Sequence, residues 1–382
     1  MASVRHCVLI AAALLGAGCG GILDTISGRS SGPKPAEVPP LTNPQAVRVL
    51  WSARIGSADR FIFYPAVVGD SVYAAARDGS VTRLDAASGQ ARWRASAERR
   101  ISSGVGAGER TVVVTAEDGE VIALDAGSGA LRWRTRVSSE TITRPAVGGG
   151  LVLVRTADNR VFGFGEDDGK RRWVYQRAAS SLIVRAPSGL AVVDDTAFAG
   201  FPGGKLVALA LANGAPRWEA TIAPPKGSTE LERVTDVVGD PAVQGREVCA
   251  AAYQGRVACF EAASGRQTWS RELSSLTGVS LDARYAFVSD DRGSVHALDR
   301  SNGRSIWKQD RLFLRQLSMP LPLGNAVAAG DFEGYVHFFA RDSGAFVARH
   351  PTGGGAVRTA PVALPGGVLV QTQNGGLFAL AL

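Results

Sequence analysis

The chain has 382 residues, 45% hydrophobic and 20% charged, a globular balance that excludes a disordered polymer. Its 46 glycines follow no period of three, which excludes a collagen-like fibre and points to turns between many short strands. The formal net charge of +7 is spread as single arginines rather than in blocks, which argues for a solvated basic surface and against a nucleic-acid site.

The N-terminus reads as an address. Arg5 precedes an apolar run over residues 8–15, and the small residues 16–18 lead to Cys19. A basic start, a short apolar core and small residues at a cut site make a signal peptide over residues 1–18. The run is shorter than the roughly 20 apolar residues a membrane span needs. The approach to Cys19 resembles the bacterial lipobox, in which the cysteine is acylated and becomes the mature N-terminus. One place departs from that pattern: Gly16 stands where the motif has Leu, and Leu15 lies one further out. Gly20 in place of Asp implies, by the same resemblance, sorting to the outer membrane. Such a cysteine carries more than one chain, enough for stable anchoring. Residues 19–43 then contain four prolines with Gly and Ser, the composition of a flexible, extended tether.

Residues 44–382 are organised by one repeat. Tryptophans stand at Trp51, Trp93, Trp133, Trp173, Trp218, Trp269 and Trp307, and the next slot is Ala348. From Trp93 onward each slot is preceded nine residues earlier by a strand-ending Leu or Phe, as in the run from Leu84 to Trp93 and that from Leu124 to Trp133. A Gly always lies five after that residue, where a hairpin turn needs positive φ, and a nearby Asp or Asn can bond its own backbone. A second hairpin lies upstream, at Asp78-Gly79, Asp118-Gly119, Gln254-Gly255, Glu333-Gly334 and Asn374-Gly375. About four short strands per 40-residue repeat is the signature of a β-propeller blade. Strand-ending residues at 84, 124, 164, 209, 260, 298, 339 and 380 give eight blades. The last repeat lacks its Trp strand while Trp51 sits on an orphan strand at the other end. Placing the orphan in the final blade closes the ring and removes two open edges. The expected fold is all-β, a single eight-bladed propeller over 44–382. The tryptophans could form an aromatic box, but their regular spacing makes them inter-blade core.

Two adjacent intervals break the frame: 36 residues from Trp173 to Leu209 and 42 from Trp218 to Phe260. Prolines such as Pro145 and Pro241, nineteen before the strand-ending residue, locate the surplus before the inner strands of blades four and five. Both inserts therefore emerge on one face. The first carries the run from Ser181 to Arg185; the second carries that from Gly227 to Arg233, then Asp236. Apolar side chains flanked by charges on loops of a rigid scaffold fit a protein-binding surface. The alternative is that Leu182, Ile183 and Val184 begin an ordinary inner strand and that Asp236 is a turn residue.

Little else carries chemistry. His296 and His337 each lie two before a strand-ending residue in adjacent blades, a conceivable metal pair, although Thr82, Ile122, Phe162 and Val207 fill the same position elsewhere. Half-buried strand residues are the simpler reading. No HExxH, phosphate loop or persuasive catalytic triad is visible. Cys249 and Cys259 flank the Tyr253-Gln254-Gly255 hairpin. A three-residue turn puts them opposite each other and a two-residue turn offsets them by one, so a disulfide and two buried thiols both remain open.

Taken together, the lipobox cysteine, the Pro-rich tether, eight repeats of the L-D-x-x-x-G-x-x-x-W kind and the run from Gly227 to Arg233 resemble the BamB family. The segment from Asp331 to Tyr335 adds to the likeness, which covers essentially all of 19–382. The resemblance implies a non-enzymatic lipoprotein on the periplasmic side of the outer membrane, with no cofactor or metal. It would bind the POTRA domains of BamA alongside other members of the β-barrel assembly (BAM) complex and help deliver unfolded outer-membrane proteins. Carried over, the partner-contacting strip falls on Leu182, Val184, Arg185 and Asp236. Where the family tends to carry a second acid, this chain has Val238, with Asp240 out of register. The repeat is also shared with pyrroloquinoline-quinone dehydrogenases. Those need a calcium ligand set and often paired cysteines, and no adjacent cysteines occur here. A periplasmic propeller with another protein partner is the second alternative.

Overall fold

Seven of the eight repeats fold into a four-stranded antiparallel sheet whose strands follow one another in chain order. In blade one these are Ala66–Val68, Ser71–Ala75, Ser80–Asp85 and Ala91–Ser96. The computed structural model describes residues 32–178, 182–184 and 186–382, and residues 36–382 form one compact unit holding all eight blades. The first strands of neighbouring blades touch around a closed ring, so they line the axis and the Trp strands lie outermost. Middle strands such as Ser71–Ala75 and Thr111–Thr115 are buried along their whole length, because a stacked blade covers each face. Their Val- and Ala-rich sequences fit that double burial.

The eighth blade closes as the orphan Trp strand requires. Arg48–Arg54 pairs antiparallel with Gly376–Ala381, so the two ends of the propeller share one sheet. Each Trp indole donates its Nε1–H to a carbonyl of the next blade, at 2.6–3.0 Å, from Trp51 onto Ala86 through to Trp307 onto Arg341. The same rings lie on the turn glycines, so that a Cβ on Gly89, Gly169 or Gly344 would come within 2.6 Å of the indole. Asp85 and Asp125 hold these turns by accepting from the backbone N–H groups of Ser88 and Ser128. Ala348 now has a physical reason. Blade eight takes its outer strand from Arg48–Arg54, so no hairpin turn joins its last two strands and a Trp there would have no glycine to cover.

Two local results sharpen the sequence reading. Glu247–Ala252 and Arg256–Glu261 are joined by the three-residue turn, which sets Cys249 opposite Cys259, and the two form a disulfide. Part of the segment read as tether also lies against the propeller. Residues 36–43 have no regular structure, yet Ala36 and Pro39 are hydrogen-bonded to blade seven. Composition signals the absence of strand there; it carries no signal about docking.

Candidate functional site

The connections from outer to inner strands and the Asp-Gly hairpins share one face of the propeller, and both inserts rise from it. The first insert lies between Arg171–Gln176 and Leu190–Val193, the second between Pro216–Thr221 and Val237–Gln244. Residues 182–184 are therefore loop and not the start of the inner strand.

The second insert is ordered by its own polar groups. Thr229 Oγ1 accepts the backbone N–H of Glu232 at 3.2 Å, and Glu232 Oε2 accepts that of Thr229 at 3.0 Å, a reciprocal capping box. Arg233 Nε donates to Gly227 O at 3.0 Å and closes the loop. The closed loop holds Leu231 out at 71% exposure, the highest of any large apolar side chain among the described residues. Leu182 and Ile183 on the first insert are each 44% exposed, and Leu276 in the corresponding connection of the next blade is 41% exposed. Exposed apolar groups thus gather on one face of blades four to six, the kind of surface that partners cover.

Asp236 plays a different part from Leu182. It is 5% exposed, and its carboxylate accepts the backbone N–H of Val184 at 2.6 Å and that of Gly203 at 3.3 Å. Burial raises its pKa above the usual carboxylate range, while these N–H groups and Arg155 pull the other way. Asp236 thereby pins the first insert from beneath. Val184 is half-buried beside it, and Val238 is buried in the inner strand. Arg185 and Cys19 lie outside the described residues. Asp240 points elsewhere: Arg144 Nη2 and Nε donate to its Oδ2 at 2.6 and 3.0 Å, bridging blades three and five. Gly189 leaves the space for that carboxylate, since a Cβ there would sit 1.8 Å from Asp240 Oδ1. The Arg144 guanidinium also lies 5.5 Å from the Tyr64 ring of blade one, so the pair and the ring stand across the axial channel. Burial, with Asp240 beside it, keeps the Tyr64 hydroxyl protonated well above its ordinary range.

One group was missed in the sequence because it sits within a regular repeat. Arg155 ends the strand Leu151–Arg155 and lines a cleft with Ile142, Thr143, Ile183, Val184 and Asp236. Its Nη1 donates to Ser188 O at 2.8 Å, and its guanidinium lies 5.2 Å from the Phe201 ring. Its Nε and the Thr143 hydroxyl are buried without partners among the described residues. Burial pushes its pKa down to about 10, although Asp236 favours the charge. The usable signal was Arg155 itself: the corresponding strands of the other blades end in Ala75, Thr115, Phe201, Ala252, Ser289, Gly330 and Gln371, none of them charged. The histidines are absorbed by structure. His296 Nε2 bonds Asp290 and His337 Nε2 bonds Asp331, each at 2.9 Å. Glu247, Cys249 and Cys259 converge closely enough to hold a metal ion, but the disulfide occupies both sulfurs.

Comparison with known proteins agrees with this geometry. A family model described as outer membrane protein assembly factor BamB matches residues 77–309. The outer membrane protein assembly factor BamB of Bordetella pertussis is 42% identical over 345 residues, 90% of this chain and 89% of that one. The crystal structure of BamB from Moraxella catarrhalis superposes with a TM-score of 0.81 at 28% identity, covering 88% of this chain and all of that one. The quinohemoprotein alcohol dehydrogenase of Comamonas testosteroni superposes at 0.69 with 14% identity, covering 87% and 76%. That likeness is one of fold alone. The chain belongs to the BamB family of outer membrane protein assembly factors.

Proposed function

We propose that the chain is a non-enzymatic scaffold of the β-barrel assembly complex. Signal cleavage after residue 18 leaves an acylated Cys19 as outer-membrane anchor, and the propeller faces the periplasm. Its partner is the POTRA region of BamA, in company with other complex members and unfolded outer-membrane clients. One observation carries the reading: Leu182, Ile183 and Leu231 stand exposed on the two inserts of one rigid face, beside the half-buried Arg155. Apolar anchors with an arginine at their edge are the side chains that dominate protein interfaces. Leu182 and Arg185 are assigned to contact, Val184 and Asp236 to holding the loop, and Arg155 to a partner acceptor at the cleft.

The test is a calorimetric titration of the lipid-free chain, begun at Gly32, with the periplasmic part of BamA from the same organism. Replacing both Leu182 and Leu231 by Ala weakens binding at least tenfold, about 1.4 kcal/mol. Unchanged binding moves the contact off the inserts, and no binding by either form removes the reading. In cells, Cys19→Ser releases the protein from the outer-membrane fraction if the anchor is assigned correctly.

A further inference from the structure

A connected polar cluster on blade seven has no part in the surface described above. Its centre is Arg315, 2% exposed, in the connection entering the blade. Arg315 Nε donates to Asp331 Oδ2 at 2.8 Å, another of its nitrogens pairs with Glu333, and its guanidinium lies 5.1 Å from the Phe332 ring. Asp331 also accepts from His337 Nε2 at 2.9 Å, and His337 Nδ1 accepts Arg349 Nε at 3.1 Å. Asp331 and His337 are fully buried.

Both arginines end on the N-terminal segment. Arg315 Nη1 donates to Ala36 O at 3.0 Å, and Arg349 Nη2 donates to Pro39 O at 2.9 Å. Two backbone bonds complete the contact, from Ala36 N to Phe313 O at 2.9 Å and from Gln45 N to Val347 O at 2.8 Å. Pro39 and Pro40 carry no N–H, so this stretch offers mainly acceptors, and arginine donors are the complement it needs. Ala36, Val38, Pro39 and Leu41 are half-buried while Glu37 and Pro40 face out, as in an extended strip laid on a surface. Val47, just beyond, packs into the cluster that contains Ala348, the one slot without a Trp.

Blade six supplies an internal control. It has the matching Asp290–His296 pair, but Lys308 stands opposite its histidine where blade seven has Arg349, and the Lys308 side chain is 48% exposed. The histidine–aspartate pair thus occurs without a docked segment; the buried Arg315 and the half-buried Arg349 are what blade seven adds.

The segment also has a direction. Val347 lies toward one end of the outer strand Phe346–Pro351, whereas Tyr335 pairs with Pro351 at the other end, beside the hairpin of the insert-bearing face. Ala36 sits at that second end, with Phe313, Arg315 and Glu333 around it. We propose that the edge of blade seven is a docking site for the chain's own residues 36–45. Docking fixes the insert-bearing face as the one from which the chain leaves the propeller toward Cys19. The anchor would then emerge on the face that meets the partner. That consequence rests on the lipid-anchor reading; the docking does not.

The test uses the full mature chain and Arg349→Ala, a half-buried site whose loss leaves the Arg315–Asp331 pair in place. Hydrogen exchange read by mass spectrometry is expected to show peptides containing Ala36 and Gln45 protected in the wild type. In the variant they exchange at least tenfold faster, with the Thr111–Thr115 strand unchanged, and Arg349→Lys restores part of the protection. Exchange in the wild type at the rate of an unstructured peptide, or no change in the variant, overturns the docking site. A second arm measures the distance from a fluorophore at Ser228→Cys to vesicles carrying the lipidated protein, while the mass of the N-terminal peptide reports acylation separately. A mean distance that lengthens in Arg349→Ala supports the fixed exit. An unchanged mean distance in acylated protein whose wild-type segment is protected overturns it, and a missing acyl mass refutes the anchor reading alone.

Discussion

Replacing Asp236 by Ala separates a residue that holds the surface from one that forms it. The carboxylate accepts two backbone N–H groups, from Val184 and Gly203, while 5% exposed. Each bond to a charged acceptor contributes about 1.5–3 kcal/mol, and water reaching the half-buried Val184 replaces part of one. Burial of the charge, visible in the raised pKa, offsets more. The net expectation is a loss of about 2 kcal/mol, roughly 2–4 °C in Tm for a chain of this size. The Val184 amide should exchange faster, and BamA binding should weaken because Leu182 is no longer held in place. Asp236→Asn, which keeps one acceptor, should fall between. Calorimetry, hydrogen exchange and a binding titration on the same preparations decide it. Full stability and unchanged Val184 exchange together with lost binding would refute the reasoning, because Asp236 would then be touching the partner itself.

Trp133→Ala should cost about 3–5 kcal/mol, since the indole is a buried inter-blade contact that also caps Glu166 O. Ala348→Trp, which restores the repeat on paper, should destabilise by about 1–3 kcal/mol: Ala348 is fully buried and faces no turn glycine. Thermal unfolding checks both, and a gain from Ala348→Trp would contradict the account of blade eight. The chain begun at Gly32 should show no free thiol under denaturing conditions and two after reduction; reduction should lower stability by about 2–3 kcal/mol for this short loop. For pH, burial holds His337 below the ordinary value of 6.5, with Asp331, Arg315, Arg349 and Tyr335 around it. The unfolded chain takes up that proton first. Stability should therefore be full above about 6.5 and fall as pH drops below it. His350, also depressed by burial, adds to the slope, so His337→Gln should flatten it in part. An unaltered slope would exclude His337.

The blade count and ring closure were legible because each blade is built to one pattern, so Trp, Gly and Asp recur wherever the same contact recurs. Cys249 and Cys259 were legible only as alternatives, because the choice depended on whether the turn held two or three residues. The inserts stood out as breaks in the period. Which of their residues point outward did not: Asp236 and Leu231 are both ordinary loop residues in sequence, and only the hydrogen bonds of Val184, Gly203 and Thr229 sort them into buried support and exposed tip. Arg155 was overlooked for the opposite reason, lying inside a regular strand. The docked segment was misread as free because prolines report that a stretch forms no strand and say nothing about acceptors that another blade can use.

Site-specific photocrosslinking in intact cells tests the central claim most directly. A photoreactive residue replaces Leu182 or Leu231 on the insert-bearing face, or Val193, 36% exposed at the far end of an inner strand, as the control. The account predicts adducts with BamA from 182 and 231 and none from 193. Adducts from 193, with the two insert positions silent, would contradict it.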